Sequence, residues 1–456
     1  MVINPQIFRE YDIRGIVGRD LTSEAATLIG KGFGTLLNRS QKKIITLGRD
    51  CRLSSEDLKS ALVSGLLSTG CQVIDLGLIP TPLLYFSLHH FNPDGGIMIT
   101  GSHNPPEYNG LKLCIGKWTL YGPEIQEIRQ VIQKGDFVQG AGNVSEQDII
   151  ATYLAMLKTR IRLGRKLKVV VDAGNGMAGP IAPKIMRELG CQVEELYCNI
   201  DGHFPNHHPD PTIPQNLREL RVRVLETQAD VGIAYDGDAD RIGVIDNSGT
   251  IIWGDQLLVL FAREILSRKP ASKIVFEVKC SQNLYEDIKK HGGIHIMGAA
   301  GHSLDKKRMR EENAALGGEM SGHIFFADGY YGYDDAIFAS CRLLQILANT
   351  ESSLGHLLAD LPKTYVTPEI RVDCPDDVKF KLVEELRDFF RNRYEIIDID
   401  GVRILFDDGW ALIRASNTQP VLVLRFEARS EPRLQEIKAL IKSKLSQYKA
   451  LTSLDF

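Results

Sequence analysis

Apolar runs and helical periodicity alternate along most of the chain. In KKIITLGRDCRLSSEDLKSALVSGLLSTGCQVIDLGLIPTP (42–82) an apolar run meets a glycine, a polar turn opens a helical pattern, and a second apolar run starts at GCQVIDLG. That order predicts strand, helix, strand. It returns in KLKVVVDAGNGMAGPIAPKIMRELGCQVEELY (166–197) and, more loosely, in SKIVFEVKCSQNLYEDIKKHGGIHIMG (272–298). Three units of one design predict an α/β protein of three similar domains, each with a mixed, mostly parallel sheet covered by helices. After about residue 365 the pattern changes. Residues 394–428 alternate apolar and polar positions between DG turns, and EPRLQEIKALIKSKLSQY then reads as a helix. This predicts a smaller C-terminal α+β domain. Polar junctions near 142–148, 246–252 and 358–369 divide the chain into 1–145, 146–249, 250–365 and 366–456.

Length and composition narrow the class. At 456 residues the chain exceeds one ordinary core. With 43% hydrophobic and 25% charged residues, 54 Lys+Arg against 58 Asp+Glu, and a net charge of −4, it has the make-up of a soluble globular protein. No basic excess points to nucleic acid or to an anionic membrane surface. No apolar run reaches the roughly 18 residues of a spanning helix, and MVINPQIFREYDIRG lacks a signal-like pattern, so a cytoplasmic location is expected. Eight cysteines, at 51, 71, 114, 191, 198, 280, 341 and 374, are scattered without a CxxC pair. They read as reduced core residues.

Four loops offer chemistry. In TGSHNPPEYNG (100–110), Gly101 allows close approach or positive φ, Pro105 and Pro106 stiffen the exit, and His103 and Asn104 can donate to an anion. Ser102 in such a loop can accept a phosphoryl group; a plain polar loop with a capping serine is the alternative. A hydrolase elbow G-x-S-x-G is absent, because residue 99 is Ile and 103 is His. In YDGDADRIG (235–243), Asp236, Asp238 and Asp240 follow an apolar run at i, i+2, i+4. In an extended segment the three carboxylates point one way, and like charges that close need a cation; an acidic surface turn is the alternative. Oxygen-only ligands favour Mg²⁺, with Mn²⁺ or Ca²⁺ open. An EF-hand fails, since Arg241 and Asn247 stand where glycine and glutamate are required.

The third loop, GGEMSGH (317–323), alternates Glu319, Ser321 and His323 and leaves room for a polyhydroxylated ring; a polar turn with a satisfied histidine is the alternative. The fourth, RASNTQP (414–420), offers the Arg414 fork with Ser416, Asn417 and Thr418 as donors, which suits a phosphate; an ordinary hairpin turn is the alternative. Together the loops supply a nucleophile, a cation site, a hydroxyl reader and a phosphate clamp, the set needed for phosphoryl transfer on a phosphosugar.

With FREYDIRG (8–15) at the front, these motifs in this order resemble the α-D-phosphohexomutase family, bacterial-type phosphomannomutase/phosphoglucomutase branch, over essentially the whole chain. The resemblance implies four domains around a central cleft, and interconversion of hexose 1- and 6-phosphates of mannose or glucose through a phosphoserine and a 1,6-bisphosphate. It implies Ser102 as the phosphoserine and Ser102, Asp236, Asp238 and Asp240 as the Mg²⁺ site, with Arg241 beside it. Glucose 1,6-bisphosphate, or its mannose counterpart, is implied as activator. Glu319, Ser321 and His323 match the sugar-reading loop; Arg414, Ser416, Asn417 and Thr418 match the phosphate clamp. Tyr11, Arg14, Lys279 and His302 match further substrate contacts. For acid/base work Lys112, supported by His103, is expected. One departure concerns substrate choice: small residues precede Gly301 in IMGAAGHS (296–303), where relatives often have a threonine or proline. Met320 after Glu319 resembles the mannose/glucose branch rather than the phosphoglucosamine one. A phosphoglucosamine mutase or a phosphosugar phosphatase is the alternative activity, and a monomer or weak homodimer is expected.

Three further stretches carry bland expectations. HFPNHHPDP (203–211) reads as a connecting loop with packed histidines. GRD with Cys51 and Arg52 (48–52) reads as the close of a strand, with a phosphate contact as the alternative. Trp118, Trp253 and Trp410 read as packing residues.

Overall fold

The computed structural model describes residues 3–416, 420–451, 454 and 456. Each of the three units builds the same four strands. In the first, Ile44–Arg49 lies between Gln72–Leu78 and Gly95–Ile99, both parallel to it, and Tyr108–Ile115 returns antiparallel to Gly95–Ile99. The second places Lys168–Asp172 between parallel Gln192–Leu196 and Val231–Tyr235, with Ile242–Asp246 antiparallel. The third places Lys273–Glu277 between parallel Ile294–Gly298 and Leu316–Gly318, with Ile324–Phe326 antiparallel. The crossovers run through Ser55–Leu67, Ala182–Glu188 and Gln282–Lys290. The predicted strand, helix, strand segments are therefore the parallel pairs of mixed sheets. One joint recurs in all three units: the reversal from the third strand to the antiparallel fourth. The serine, aspartate and glutamate loops each occupy it.

The inner strands are apolar on both sides because helices cover both faces, as parallel sheets require. In the first sheet Ile45, Leu47, Ile97 and Ile99 pack under helices Ser23–Arg39, Ser55–Leu67 and Pro123–Lys134. On its other face lies Thr81–His90, a helix whose first eight residues are buried and whose leucines join the core shared with the second and third units. That shared core fixes the helix's N-terminus, and hence Thr81, against the aspartate loop.

Helices Ser23–Arg39 and Ser55–Leu67 touch backbone to backbone where Gly30 meets Gly65. A Cβ on Gly65 would lie 2.2 Å from Thr27 O, and one on Gly30 2.3 Å from Leu62 O. Alanine would gain at most about 1 kcal/mol of helix propensity. Forcing the helices apart costs about 1–3 kcal/mol. The clash wins, so Gly65→Ala is expected to lower the thermal unfolding midpoint; an unchanged or raised midpoint in a thermal scan would contradict this packing.

The fourth unit is an antiparallel sheet in which Val421–Ala428 pairs with Gly409–Ala415, and that with Val402–Phe406. Helices Asp376–Arg391 and Glu431–Leu445 cover one face. The alternation expected over 394–428 does not hold in its central strands, since every residue of Val421–Ala428 is buried. The second face is covered as well: Trp410 and Leu412 pack on Val278. Buried Arg403 donates to Val278 O and Cys280 O at 2.6 and 2.9 Å, and Arg425 donates to Lys279 O.

Trp410 is packed as expected, with the Arg403 guanidinium 3.9 Å from its ring centroid. Trp118 departs from expectation. It is half exposed and carries Arg310 of the third unit 4.0 Å over its ring, because Trp118–Thr119, a short strand paired antiparallel with Tyr108–Ile115, sits against helix His302–Glu312. All eight cysteines are unpaired. Among the described residues, no helix is long and apolar enough to cross a membrane.

Candidate active site

Ser102 and the aspartate loop meet directly. Ser102 is buried, and its Oγ donates to Asp236 Oδ2 at 2.9 Å and lies 3.1 Å from His103 Nδ1. Its backbone adopts φ +50°, a left-handed conformation that costs a non-glycine residue about 1–3 kcal/mol. Thr100 Oγ1 supports it by accepting from Ser102 N at 2.8 Å. Positive φ thus falls on the serine and not on Gly101. Gly101 serves instead to leave room, because a Cβ there would lie 2.5 Å from Arg52 Cζ. Gly237 does the same from the opposite side: its Cβ would meet Ser102 O at 2.5 Å.

The three aspartates converge, though not through an extended strand. Residues 236–241 form a turn in which Ala239 takes φ +60°, and Asp236 Oδ1 accepts from Asp240 N and Arg241 N at 3.0 and 3.1 Å. The turn wraps around its first carboxylate and so brings all three together, each with an oxygen within 4.8 Å of the others. Thr81, at its helix N-terminus, donates Oγ1 to Asp238 Oδ2 at 2.6 Å. Lys112 Nζ donates to Asp238 Oδ2 at 2.8 Å and to Asp240 Oδ2.

Charge and orphan atoms define what this cluster can hold. Asp236, Asp238, Asp240 and Asp334 are fully buried, facing Lys112, Arg241 and Lys306. Asp238 Oδ1 and Asp240 Oδ1 are buried with no hydrogen-bond partner. A buried carboxylate oxygen left unpaired is costly, and an added cation relieves it. The donor set is oxygen only, with Ser102 Oγ beside Asp236, which fits a hard divalent ion such as Mg²⁺. Burial, together with Asp240 and Asp238, pushes the Asp236 carboxyl well above its ordinary range.

The two acid/base candidates differ in what they can do. Burial opposes the charge on Lys112, yet Asp238 and Asp240 outweigh it and raise its pKa. An ammonium held on two carboxylates can give a proton to an oxygen but has no lone pair with which to take one. His103 touches Oγ, and burial with Arg241 and Arg14 nearby holds its pKa well below the usual value, so it stays neutral with a nitrogen able to accept.

The glutamate loop is a hairpin turn, not an alternating strand: Gly322 N donates to Glu319 O and Glu319 N to His323 O. Ser321 Oγ donates to Glu319 Oε2 at 2.9 Å, while Glu319 Oε1 stays buried and unpartnered. His323 locks this loop to the aspartate loop. Its Nε2 accepts from Arg241 Nε at 2.9 Å, so a neutral ring carries its hydrogen on Nδ1, 3.1 Å from Asp240 O and 3.2 Å from Asp334 Oδ2. His302 stacks on His323 with centroids 5.5 Å apart.

The remaining predicted residues border the same space. Tyr11 OH donates to Ala300 O at 2.8 Å, and Arg14 donates to Asn104 Oδ1 at 2.7 Å. Lys279 Nζ lies 3.4 Å from Glu369 Oε2. Arg414 Nε donates to Asp400 Oδ2 at 2.9 Å, and the same oxygen accepts from Ala300 N at 3.1 Å. Ser416 N donates to Val421 O at the hairpin's start. Asn417 and Thr418 lie outside the described residues.

Sequence reasoning missed several residues here. Thr81, Asp334, Lys306 and Asp400 sit in ordinary helical or turn contexts and carry no spacing signal. Buried Asp305, on helix His302–Glu312, was also unforeseen. Burial and Glu319 push its carboxyl well above the usual range.

Comparisons with known proteins show the family to which the chain belongs. Four family profiles match in order: phosphoglucomutase/phosphomannomutase alpha/beta/alpha domain I at residues 5–139, domain II at 151–249, domain III at 253–365, and the C-terminal domain at 369–444. A phosphomannomutase/phosphoglucomutase of Pseudomonas aeruginosa is 46% identical over 440 residues, covering 96% of this chain and 95% of its own. A phosphoglucomutase of Neisseria meningitidis is 44% identical over 446 residues, covering 96% and 97%. The crystal structure of a phosphoglucomutase/phosphomannomutase family protein from Burkholderia thailandensis superposes with a TM-score of 0.94 at 41% identity over the full length of both chains.

Proposed function

Because the chain belongs to the phosphoglucomutase/phosphomannomutase family, it is a phosphohexomutase that interconverts hexose 1-phosphates and hexose 6-phosphates, and we propose that Ser102 carries the travelling phosphoryl group. The observation that carries this reading is the meeting of Ser102 Oγ with Asp236 Oδ2 at 2.9 Å beside a carboxylate cluster that holds two unpaired oxygens.

Phosphorylated Ser102 gives its phosphoryl group to the free hydroxyl of a hexose monophosphate: the Ser102 O–P bond breaks, the sugar O–P bond forms, the hydroxyl proton passes to a neighbouring base, and the departing Ser102 oxygen takes up a proton. The resulting 1,6-bisphosphate turns over and returns its other phosphoryl group to Ser102 Oγ. His103 stands at the oxygen whose proton must move, and Arg241 and Lys112 keep positive charge close by. Asp236, Asp238, Asp240 and Ser102 are the residues that hold Mg²⁺, which when bound offsets charge on phosphoryl oxygens. Glu319, Ser321 and His323 meet the sugar hydroxyls; Arg414, with Ser416, Asn417 and Thr418, takes the phosphate that is not transferred. Tyr11, Arg14, Lys279 and His302 border the sugar. Glucose 1,6-bisphosphate primes the serine, and the enzyme works in the cytoplasm, where unpaired cysteines are the norm.

Mannose and glucose phosphates are the substrates favoured, because relatives matched over 95% and 97% of their length are named phosphomannomutase/phosphoglucomutase and phosphoglucomutase. Phosphorus NMR of glucose 1-phosphate and mannose 1-phosphate with the protein, Mg²⁺ and a trace of glucose 1,6-bisphosphate tests this. Growth of 6-phosphate signals, faster with the bisphosphate, is the expected result. Free phosphate without isomer would replace the reading with a phosphatase, and an unchanged spectrum would reject both sugars.

A further inference from the structure

Two stretches that the phosphoryl-transfer scheme leaves unused, RDCR (49–52) and HFPNHHPDP (203–211), meet beneath Ser102. The Arg52 side chain is wholly inaccessible to solvent. Its Nη2 donates to Ser102 O at 2.8 Å and Asn104 O at 2.5 Å; its Nη1 donates to Pro105 O at 2.7 Å and Tyr108 O at 3.0 Å. Its Nε lies 3.2 Å from Asp50 Oδ2, and that oxygen also accepts from Gly101 N at 3.2 Å. One guanidinium therefore gathers four carbonyls and a carboxylate from the serine loop and its neighbour strand.

The lid over this guanidinium comes from the second unit. The Phe204 ring centroid is 5.2 Å from Arg52 Cζ, within reach of a cation–π contact. Gly202 makes the approach possible, since a Cβ there would lie 2.4 Å from Cys51 O. Arg52 therefore does not close a strand, and its terminal nitrogens are turned to backbone rather than toward a substrate phosphate.

We propose that Arg52 is a positioning residue for phosphoryl transfer, whose guanidinium fixes the direction in which Ser102 presents its oxygen. The inference rests on the reading of Ser102 as the phosphoryl carrier. The clamp acts on the carbonyl of the same residue that carries Oγ, so a tilt of that peptide moves Oγ off Asp236. Only arginine fits the task. Its planar fork directs donors to both sides of the loop, whereas a lysine ammonium has three donors at one point and cannot span carbonyls of residues 102 and 108 together. Ser102 is held in the left-handed region, where a serine does not rest unaided, and the clamp supplies the outside constraint.

The test compares Arg52→Lys with wild type in steady-state turnover of hexose 1-phosphate and in single-turnover phosphorylation of residue 102 by glucose 1,6-bisphosphate. Wild-type phosphorylation at Ser102 is established first by mass mapping; its absence would overturn the carrier reading on its own, before Arg52 is at issue. A misplaced reacting atom costs on the order of 10²-fold. Arg52→Lys is expected to lose about that much in kcat and in the single-turnover rate, with KM within about threefold of wild type. A kcat equal to wild type overturns the proposal, and so does a raised KM with kcat unchanged, which would make Arg52 a substrate ligand. Where Arg52→Lys fails to fold, Gly101→Ala decides the matter. Its Cβ displaces the guanidinium while keeping the charge, and the same loss in kcat with KM held is expected; wild-type kcat there overturns the proposal.

Discussion

Replacing Ser102 with alanine is expected to lower kcat for hexose 1-phosphate turnover by about 10⁴-fold or more, while the protein remains folded. Loss of a nucleophile removes the covalent intermediate altogether, and neither side chain that contacts Oγ, His103 or Asp236, takes over its place as the carrier. The stability cost is small by comparison. Alanine keeps the Cβ, the Arg52 bond to the residue 102 carbonyl and the Thr100 bond to its N–H. What is lost is the hydrogen bond to Asp236 and the contact with His103 Nδ1, together worth about 1–3 kcal/mol. Intact-mass measurement after incubation with glucose 1,6-bisphosphate should show a phosphorylated wild type and an unmodified variant. A Ser102→Ala protein that turns over at the wild-type rate would remove the serine from the mechanism.

Lys112→Met is expected to cost about 3–5 kcal/mol of stability in EDTA, because it strips the shared counter-charge from buried Asp238 and Asp240. Four buried carboxylates would then face Arg241 and Lys306 alone. The raised pKa of Lys112 sets the pH range: its stabilising charge is fully in place below the ordinary lysine value of 10.5 and is lost only as pH rises through the higher folded value. The deficit at neutral pH is therefore complete. Mg²⁺ should restore more of the unfolding midpoint to the variant than it adds to wild type, since ligand binding to the folded state stabilises it and the competing ammonium is gone. Thermal scans of both proteins in EDTA and in Mg²⁺ measure this directly. Equal Mg²⁺ shifts in the two proteins would mean that the ion does not bind beside Lys112.

The parallel units were legible because they are local. Strand, helix and strand lie within about forty residues of each other, and each writes its own period into the sequence. The aspartate motif was legible in its residues but not in its geometry, since the alternating spacing suits a strand while Ala239 at φ +60° makes a turn. Lys112 shows a different limit. Its distance in sequence from Ser102 is short, but its partners Asp238 and Asp240 lie more than a hundred residues away, and they decide that it stays charged. Arg52 is the extreme case. Its role depends on carbonyls of the serine loop and a ring at position 204, and a backbone carbonyl leaves no mark in a sequence. The central strands of the fourth unit misled because both faces are covered, one by helices and the other by the third unit, so the polar half of the pattern is carried by buried arginines.

The joint between the third strand and the returning fourth, shared by all three α/β units, has a historical consequence. A unit copied twice along a gene would bring three identical rims to one centre, and divergence confined to those few rim positions would assign each a separate duty. The interiors need not change for this to happen, because the rim residues hang from strand ends whose packing is already complete. Ser102, the aspartate trio and the glutamate hairpin occupy the same joint of one repeated plan, and an exchange of turns between units becomes a way to measure how far each duty depends on its own surroundings.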